Sequence, residues 1–237
     1  MKFDEFRVIT FDCYGTLIDW ETGILAVLRP WMMRAGISAT DAEVLSAFGE
    51  AESAAERDLP TAIYPEILRA THARIAKQFG VASAADAAEA LGKSVGDWPA
   101  FPDTSDALKR LQRKFKLVVV SNVDRASFAR TQKRLGIAFD AVVTAEEVGA
   151  YKPDAKMFLR AMEVAKTFGA ARKNILHVAQ SLYHDHVPAK SFGLKTVWLR
   201  RPSKAGELGA TKKPAVDVEP DLVVGSMKEL ADVVGVE

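Results

Sequence analysis

One cysteine, Cys13, stands in 237 residues, so no disulfide can form within the chain and nothing points to an oxidising compartment. Charge of either sign is not in excess either. The formal net charge is +1 and the charged side chains are scattered, which leaves no basic stripe for nucleic acid and no polybasic segment for a membrane surface. Long apolar runs are missing: none approaches the ~18 residues needed to span a bilayer, and the first residues, with Lys2, Asp4, Glu5 and Arg7, carry no apolar signal core. The expectation is a soluble, cytoplasmic protein that binds neither nucleic acid nor membrane. Internal repeats and low-complexity tracts are absent too. The length allows one large domain or a core with an insertion.

What is present is a set of short apolar runs, each ending in polar residues. Val8 to Phe11 leads into Asp12-Cys13-Tyr14-Gly15-Thr16, where Gly15 supplies turn dihedrals at little steric cost. Asp12 is the candidate nucleophile, delivered by a strand onto a turn. Three later runs end at Ser121 and Asn122, near Lys152, and at residues 180–185. In a parallel sheet all four places lie outside the carboxyl ends of the strands, where open α/β folds bind ligands.

Between the first two strands, residues 22–88 are rich in Ala, Leu and Glu, with Ile24, Val27, Leu28, Trp31 and Met32 at helical spacing. About four helices are expected there, broken near Gly36, Pro60, Pro65 and Gly80. The Trp31, Met32 and Met33 stripe suits a helical core or a contact with a second copy, which leaves a homodimer open. Gly and Pro crowd residues 92–102, marking a linker back. Asp103, Thr104 or Ser105 can cap a following helix in which Asp106 and Arg110 sit at i, i+4. Leu117 to Val120 reads as a buried strand. Helices at 125–135, 154–168 and 183–192 then alternate with strands at 141–144, 175–179 and 196–199, with Pro153 in the first turn of the second. Residues 204–220 read as an exposed loop before a last strand at 222–224. The sequence therefore predicts an α/β fold: a Rossmann-like, doubly wound parallel sheet core (1–18 and 96–237) with a helical cap (19–95) inserted after the first strand.

Asp12, Ser121 with Asn122, Lys152 and Asp185, in this order around a helical insertion, resemble the haloacid dehalogenase superfamily over nearly the whole chain. That resemblance implies covalent catalysis, the first Asp attacking an electrophilic centre. Phosphatases of the superfamily carry a second Asp two positions after the nucleophile, where Tyr14 stands here. The stretch 12–16 and the stretch 145–154 look like the L-2-haloacid dehalogenase branch instead. Halide departure needs no proton, whereas losing a general acid handicaps alkoxide departure by ~100 to 10,000-fold. The resemblance also implies Mg²⁺ in phosphatases, held in part by an Asp early in the fourth motif. Gln180 occupies that place, and an amide is a poorer ligand for a hard dication, so no cofactor is required and Mg²⁺ binding is weak at most.

The expected chemistry is attack of Asp12 on C2 of a small carboxylate substrate, a 2-haloacid, followed by hydrolysis of the ester to the 2-hydroxy acid. Lys152 would keep Asp12 ionised, Ser121, Asn122 and amides at residues 14–16 would bind the substrate, and Asp185 would position Lys152 or the water. The chemical set is thus Asp12, Lys152, Ser121 and Asp185. The substrate-contacting set is Cys13, Tyr14, Thr16, Trp20, Asn122, Gln180 and Ser181, and no residue is assigned to a metal. Cys13 has no paired base and suits packing as well as contact. His184 and His186 flank Asp185, but residues two apart on a helix do not share a face. The dehalogenase branch implies an Arg on the second cap helix to receive the halide; residues 48–53 have none, and Arg57 lies two turns on. Phe158 and Leu182 stand where that branch implies an aromatic hydroxyl and an Asn. A Mg²⁺-dependent phosphatase and a non-catalytic binding protein of the same fold remain as alternatives.

Overall fold

Runs of β-branched and large apolar residues build the sheet. In the computed structural model, which describes residues 1–204, 206 and 210–236, the strands are β1 (Val8–Phe11), β2 (Lys116–Ser121), β3 (Ala141–Thr144), β4 (Ile175–Ala179), β5 (Lys195–Leu199) and β6 (Leu222–Val224). All pairings are parallel and the order is β3-β2-β1-β4-β5-β6. Both faces of β1 and β4 are buried along their whole length, as a sheet covered by helices on both sides demands. Strand order reverses at β1, whose neighbours are β2 and β4. That switch point opens the crevice into which Asp12 projects.

Four helices separate β1 from the next α/β unit: α1 (Trp20–Arg34), α2 (Asp41–Asp58), α3 (Tyr64–Gln78) and α4 (Ala85–Lys93). Breaks fall at Gly36, Pro60 and Gly80 as the sequence suggested, whereas Pro65 sits inside the first turn of α3. A capping box between Thr40 and Glu43 starts α2, which packs on α3, and α3 on α4. Trp31 and Met32 are buried, whereas Met33 is 79% exposed. The remaining helices are α5 (Thr104–Gln112), α6 (Arg125–Leu135), α7 (Ala145–Val148), α8 (Ala155–Thr167), α9 (Val187–Ser191) and α10 (Met227–Val234). One contiguous apolar cluster runs from the sheet into the four inserted helices. No helix of the described residues is long and apolar enough to cross a membrane.

Several local expectations are corrected. Residues 92–102 are packed rather than a loose linker, with Val95 and Trp98 buried and Gly23 so close to Trp98 that a Cβ there would lie 2.2 Å from its ring. Asp103 makes no side-chain cap bond to α5. Its carboxylate instead accepts from Arg201 at 2.8 and 3.0 Å and from the amide of Met227 at 2.7 Å. Arg110 likewise turns from Asp106 to Asp232, at 2.7 Å. Pro153 precedes Asp154, the true N-cap of α8. The expected helix at 183–192 begins as a single π-helical turn, Leu182–His186, before α9. The loop at 204–220 is not exposed throughout: Ala210 is buried, its N–H donating to Glu21 Oε1 at 3.1 Å. Ala205 and residues 207–209 of that loop lie outside the described residues.

Candidate active site

Asp12 leaves β1 with its N–H still paired to Val178 O at 3.1 Å, so the strand ladder fixes its position. Gly15, at φ 90°, then turns the chain, and Cys13 O accepts the amides of Thr16, Leu17 and Ile18. Arg201 braces the turn from outside, its Nε donating to Thr16 O at 2.9 Å. Each oxygen of Asp12 takes one hydrogen bond: Oδ1 from Lys152 Nζ at 2.8 Å and Oδ2 from Thr16 Oγ1 at 2.6 Å. Lys152 donates its other two hydrogens to Val120 O at 3.0 Å and Asp185 Oδ1 at 2.8 Å. The ammonium is therefore fully engaged.

These groups are buried, and burial decides their acidity. It pushes the Asp12 carboxyl up from the usual range, against the pull of Lys152 and Thr16. Burial also opposes the charge on Lys152, but Asp12 and Asp185 outweigh it and hold the ammonium protonated. At Asp185 the burial penalty is overcome by Lys152 and by His177, whose Nε2 lies 3.1 Å away, and the carboxyl falls well below its usual range. The three side chains form one anionic triad with a central cation, in which Asp185 orients Lys152.

A cavity of ≈ 40 Å³ opens on Asp12. One water needs about 10–15 Å³ on the same measure, so the space suits a molecule of few heavy atoms. Its walls include Tyr14, Trp20, Ser121, Asn122 and Ser181 from the expected set, together with His184, Glu52, Tyr64 and Thr211. Ser121 Oγ is buried without a partner among the described residues, and the side chain lines this cavity. Asn122 is already committed: Oδ1 accepts from Lys152 N at 2.6 Å, while Nδ2 donates to Lys152 O at 3.2 Å and Glu56 Oε1 at 3.1 Å. It clamps the Lys152 loop and ties it to α2.

A family model for haloacid dehalogenase-like hydrolases matches residues 6–185. The chain belongs to the haloacid dehalogenase-like hydrolases. Among curated relatives, the (S)-2-haloacid dehalogenase H-109 of Pseudomonas putida is 26% identical over 218 residues, covering 86% of this chain and 90% of that one. A further (S)-2-haloacid dehalogenase of Pseudomonas putida is 28% identical over 135 residues, 56% of this chain, and only about half (55%) of that relative's length is spanned. A glyceraldehyde 3-phosphate phosphatase of Methanopyrus kandleri is 31% identical over 137 residues, 56% of each chain. An L-2-haloacid dehalogenase from Xanthobacter autotrophicus, with chloropropionic acid covalently bound, superposes with a TM-score of 0.79 at 19% identity, over 97% of this chain and 98% of that one. At that identity the likeness shows a shared fold.

Four expected members of this hydrolase's substrate-contacting set sit elsewhere or act otherwise. Cys13 is fully buried in the apolar core, and burial raises its thiol pKa well above the ordinary value, so it is packing. Thr16 is buried behind Asp12, orienting the carboxylate and accepting from Gln180 N at 2.9 Å. Gln180 lines a separate small cleft with Gly15, Asp19 and Arg201. Tyr14 offers its ring to the cavity, but its hydroxyl is turned to Thr131 Oγ1, 2.9 Å away. The amides of Gly15 and Thr16 are likewise engaged within the turn. Of the two flanking histidines, His184 reaches the cavity, and burial lowers it to about 4; His186 turns its Nε2 to Ala179 O at 3.0 Å. Arg57 is exposed and lines outer clefts rather than the Asp12 cavity.

The Mg²⁺ site implied for phosphatases fits these residues poorly. Lys152 and Thr16 bind both Asp12 oxygens, Gln180 supplies no carboxylate, and no cluster of three or more metal-ligating side chains occurs among the described residues. The residues that sequence reading missed come from the cap. Glu52 and Glu56 lie on the buried face of α2, Glu52 receiving the hydroxyl of Tyr64. The signal was present in the i, i+4 stripe of Val44, Phe48, Glu52 and Glu56, whose apolar half continues into two carboxyls.

Proposed function

We propose that this hydrolase removes halide from a small 2-haloacid, with Asp12 as nucleophile and a covalent ester as intermediate. One Asp12 oxygen bonds to C2 of the substrate as the carbon–halogen bond breaks and its electron pair leaves with the halide. Water then attacks Cγ of Asp12, the acyl–oxygen bond breaks, and the 2-hydroxy acid departs. The observation that carries this reading is the Lys152 ammonium 2.8 Å from both Asp12 and Asp185, which keeps a buried carboxylate charged without a metal. The cavity's size suits an acid of two or three carbons, and the unpartnered Ser121 hydroxyl is a donor for its carboxylate. The dehalogenase relatives and the absence of an acid at Tyr14 favour halide over phosphate ester.

Mass spectrometry of the protein after one turnover of 2-chloropropionate in ¹⁸O-labelled water tests the scheme. Label is expected in the peptide containing Asp12 and is lost in Asp12→Asn. No incorporation with any 2-haloacid, in a folded sample that hydrolyses an aryl phosphate, would transfer the assignment to phosphoryl chemistry.

A further inference from the structure

We infer that Glu52, on the cap side of the Asp12 cavity, is a catalytic acid and base: it protonates the departing group as the ester forms and takes a proton from the water that cleaves it. The inference rests on the Asp12 ester proposed above and assigns its proton traffic, which extends the substrate range to poor leaving groups, fluoride above all.

Apart from the nucleophile Asp12, every other titratable group in the cavity is unsuited to both roles, Tyr64 among them because burial holds its phenol well above the ordinary value and its hydroxyl is given to Glu52. Lys152 has all three hydrogens engaged. Asp185 is held ionised well below the usual carboxylate range, so it is a weak base and no acid. The hydroxyl of Tyr14 is occupied with Thr131, and His184 stays uncharged near neutrality, its Nδ1 3.2 Å from Ser181 Oγ. Glu52 remains. It is 6% exposed and lines the same small space as Asp12, and its Oε1 accepts from Tyr64. Its Oε2 receives no hydrogen bond from the described residues.

The surroundings set its proton affinity. On its own helix the facing group is Glu56, also buried, and on α3 it is Tyr64. Across the cavity stand Asp12, Lys152 and Asp185. Burial raises Glu52 to about 7, and the Tyr64 hydroxyl pulls against that rise. An acid poised near the working pH gives and recovers protons with equal ease.

The steps balance. With fluoride leaving, Asp12 carboxylate, protonated Glu52 and the organic fluoride give the Asp12 ester, hydrogen fluoride and Glu52 carboxylate; bromide leaves as the anion, and Glu52 gives its proton to water before the second step. The ester, water and Glu52 carboxylate then return Asp12 carboxylate, the 2-hydroxy acid and protonated Glu52. Bromide, a good leaving group, needs the first proton little; fluoride needs it most.

Rapid quench and intact-mass measurement on the full chain with 2-bromopropionate and 2-fluoropropionate tests the assignment. Wild type should form the ester from the fluoro acid at a rate that falls above pH about 7, with bromide insensitive there. Glu52→Gln should form the bromide-derived ester near the wild-type rate, hydrolyse it ~100-fold more slowly or worse so that it accumulates, and lose the fluoro acid. Tyr64→Phe, which keeps the carboxyl but removes its donor, should move the alkaline limb to higher pH. Glu52→Gln turning over both substrates at wild-type rates overturns the assignment. Should that variant not fold, an unmoved limb in Tyr64→Phe overturns it. Failure of the wild type to form any ester from either acid removes the haloacid reading itself, and is seen before a variant is made.

Discussion

Replacing Lys152 by Met takes the one lysine or arginine from among the described residues that line the cavity and leaves Asp12 and Asp185 buried without a counter-charge. A buried ion pair is weak evidence for stability, but breaking one by removing a partner costs on the order of 3–5 kcal/mol. The pH dependence should also change. In the wild type, Asp185 has a depressed pKa, so its contribution is present above the unfolded value and lost as pH falls toward the folded one. In Lys152→Met the buried carboxyls gain stability on protonation, so denaturant midpoints should rise from pH 8 to pH 5 more steeply than in the wild type. Ser121→Ala separates binding from folding in the opposite way. Its hydroxyl makes no bond among the described residues, so thermal stability should hold. KM for a haloacid should rise about 10- to 100-fold, the loss of a hydrogen bond to a charged group. Asp12, just past β1, and Ser121, at the end of β2, were legible as candidates because the hydrophobic pattern reveals their strands, and Lys152 through the resemblance carried by residues 145–154. The committed amide of Asn122 and the outward hydroxyl of Tyr14 were not, because partners such as Thr131 and Glu56 come from distant segments.

Helix α2 carries a stability signature of its own. Glu52, raised by burial to about 7 from the ordinary carboxyl range, favours folding fully only below its unfolded value. That contribution disappears as pH climbs to about 7, a loss on the order of 3 kcal/mol. Glu52→Gln should flatten the fall in melting temperature between pH 5 and 8 measured by calorimetry. The same helix meets the 210–211 segment at Gly49, where a Cβ would lie 2.0 Å from Ala210 O. Gly49→Ala must push backbone from backbone, and activity should drop even where circular dichroism is unchanged. The strands, α6 and α8 were readable to within a residue or two, whereas the four inserted helices were foreseen only as a number and α7 and α10 were not foreseen. The π-turn at Leu182–His186 was not, because its sequence also suits an ordinary helix and its form follows from delivering Asp185 to Lys152.

Across the whole molecule, the inserted helices close over the switch point of the sheet, and the cavity between them sets what can react. Lengthening the substrate from 2-bromopropionate to 2-bromohexanoate should reduce kcat/KM by at least ~100-fold unless the cap stands off from the sheet, and a steady-state series in chain length measures it. The order of elements was legible because an all-helical stretch followed by alternating strands and helices admits few topologies. The identity of the cap's inner wall was not: a carboxyl on α2 reads as a solvated residue until tertiary packing turns it inward.

Glu21, near the start of α1, accepts Ser203 Oγ at 2.7 Å, Lys204 N at 2.8 Å and Ala210 N at 3.1 Å. One carboxylate thereby fastens Ser203, Lys204 and Ala210, which belong by sequence to the sheet side, onto the first helix of the insertion. Thr211, the next residue along, lines the Asp12 cavity, so the seam between sheet and insertion passes through that cavity's wall, and any tilt of the insertion would carry Thr211 with it and widen the chamber.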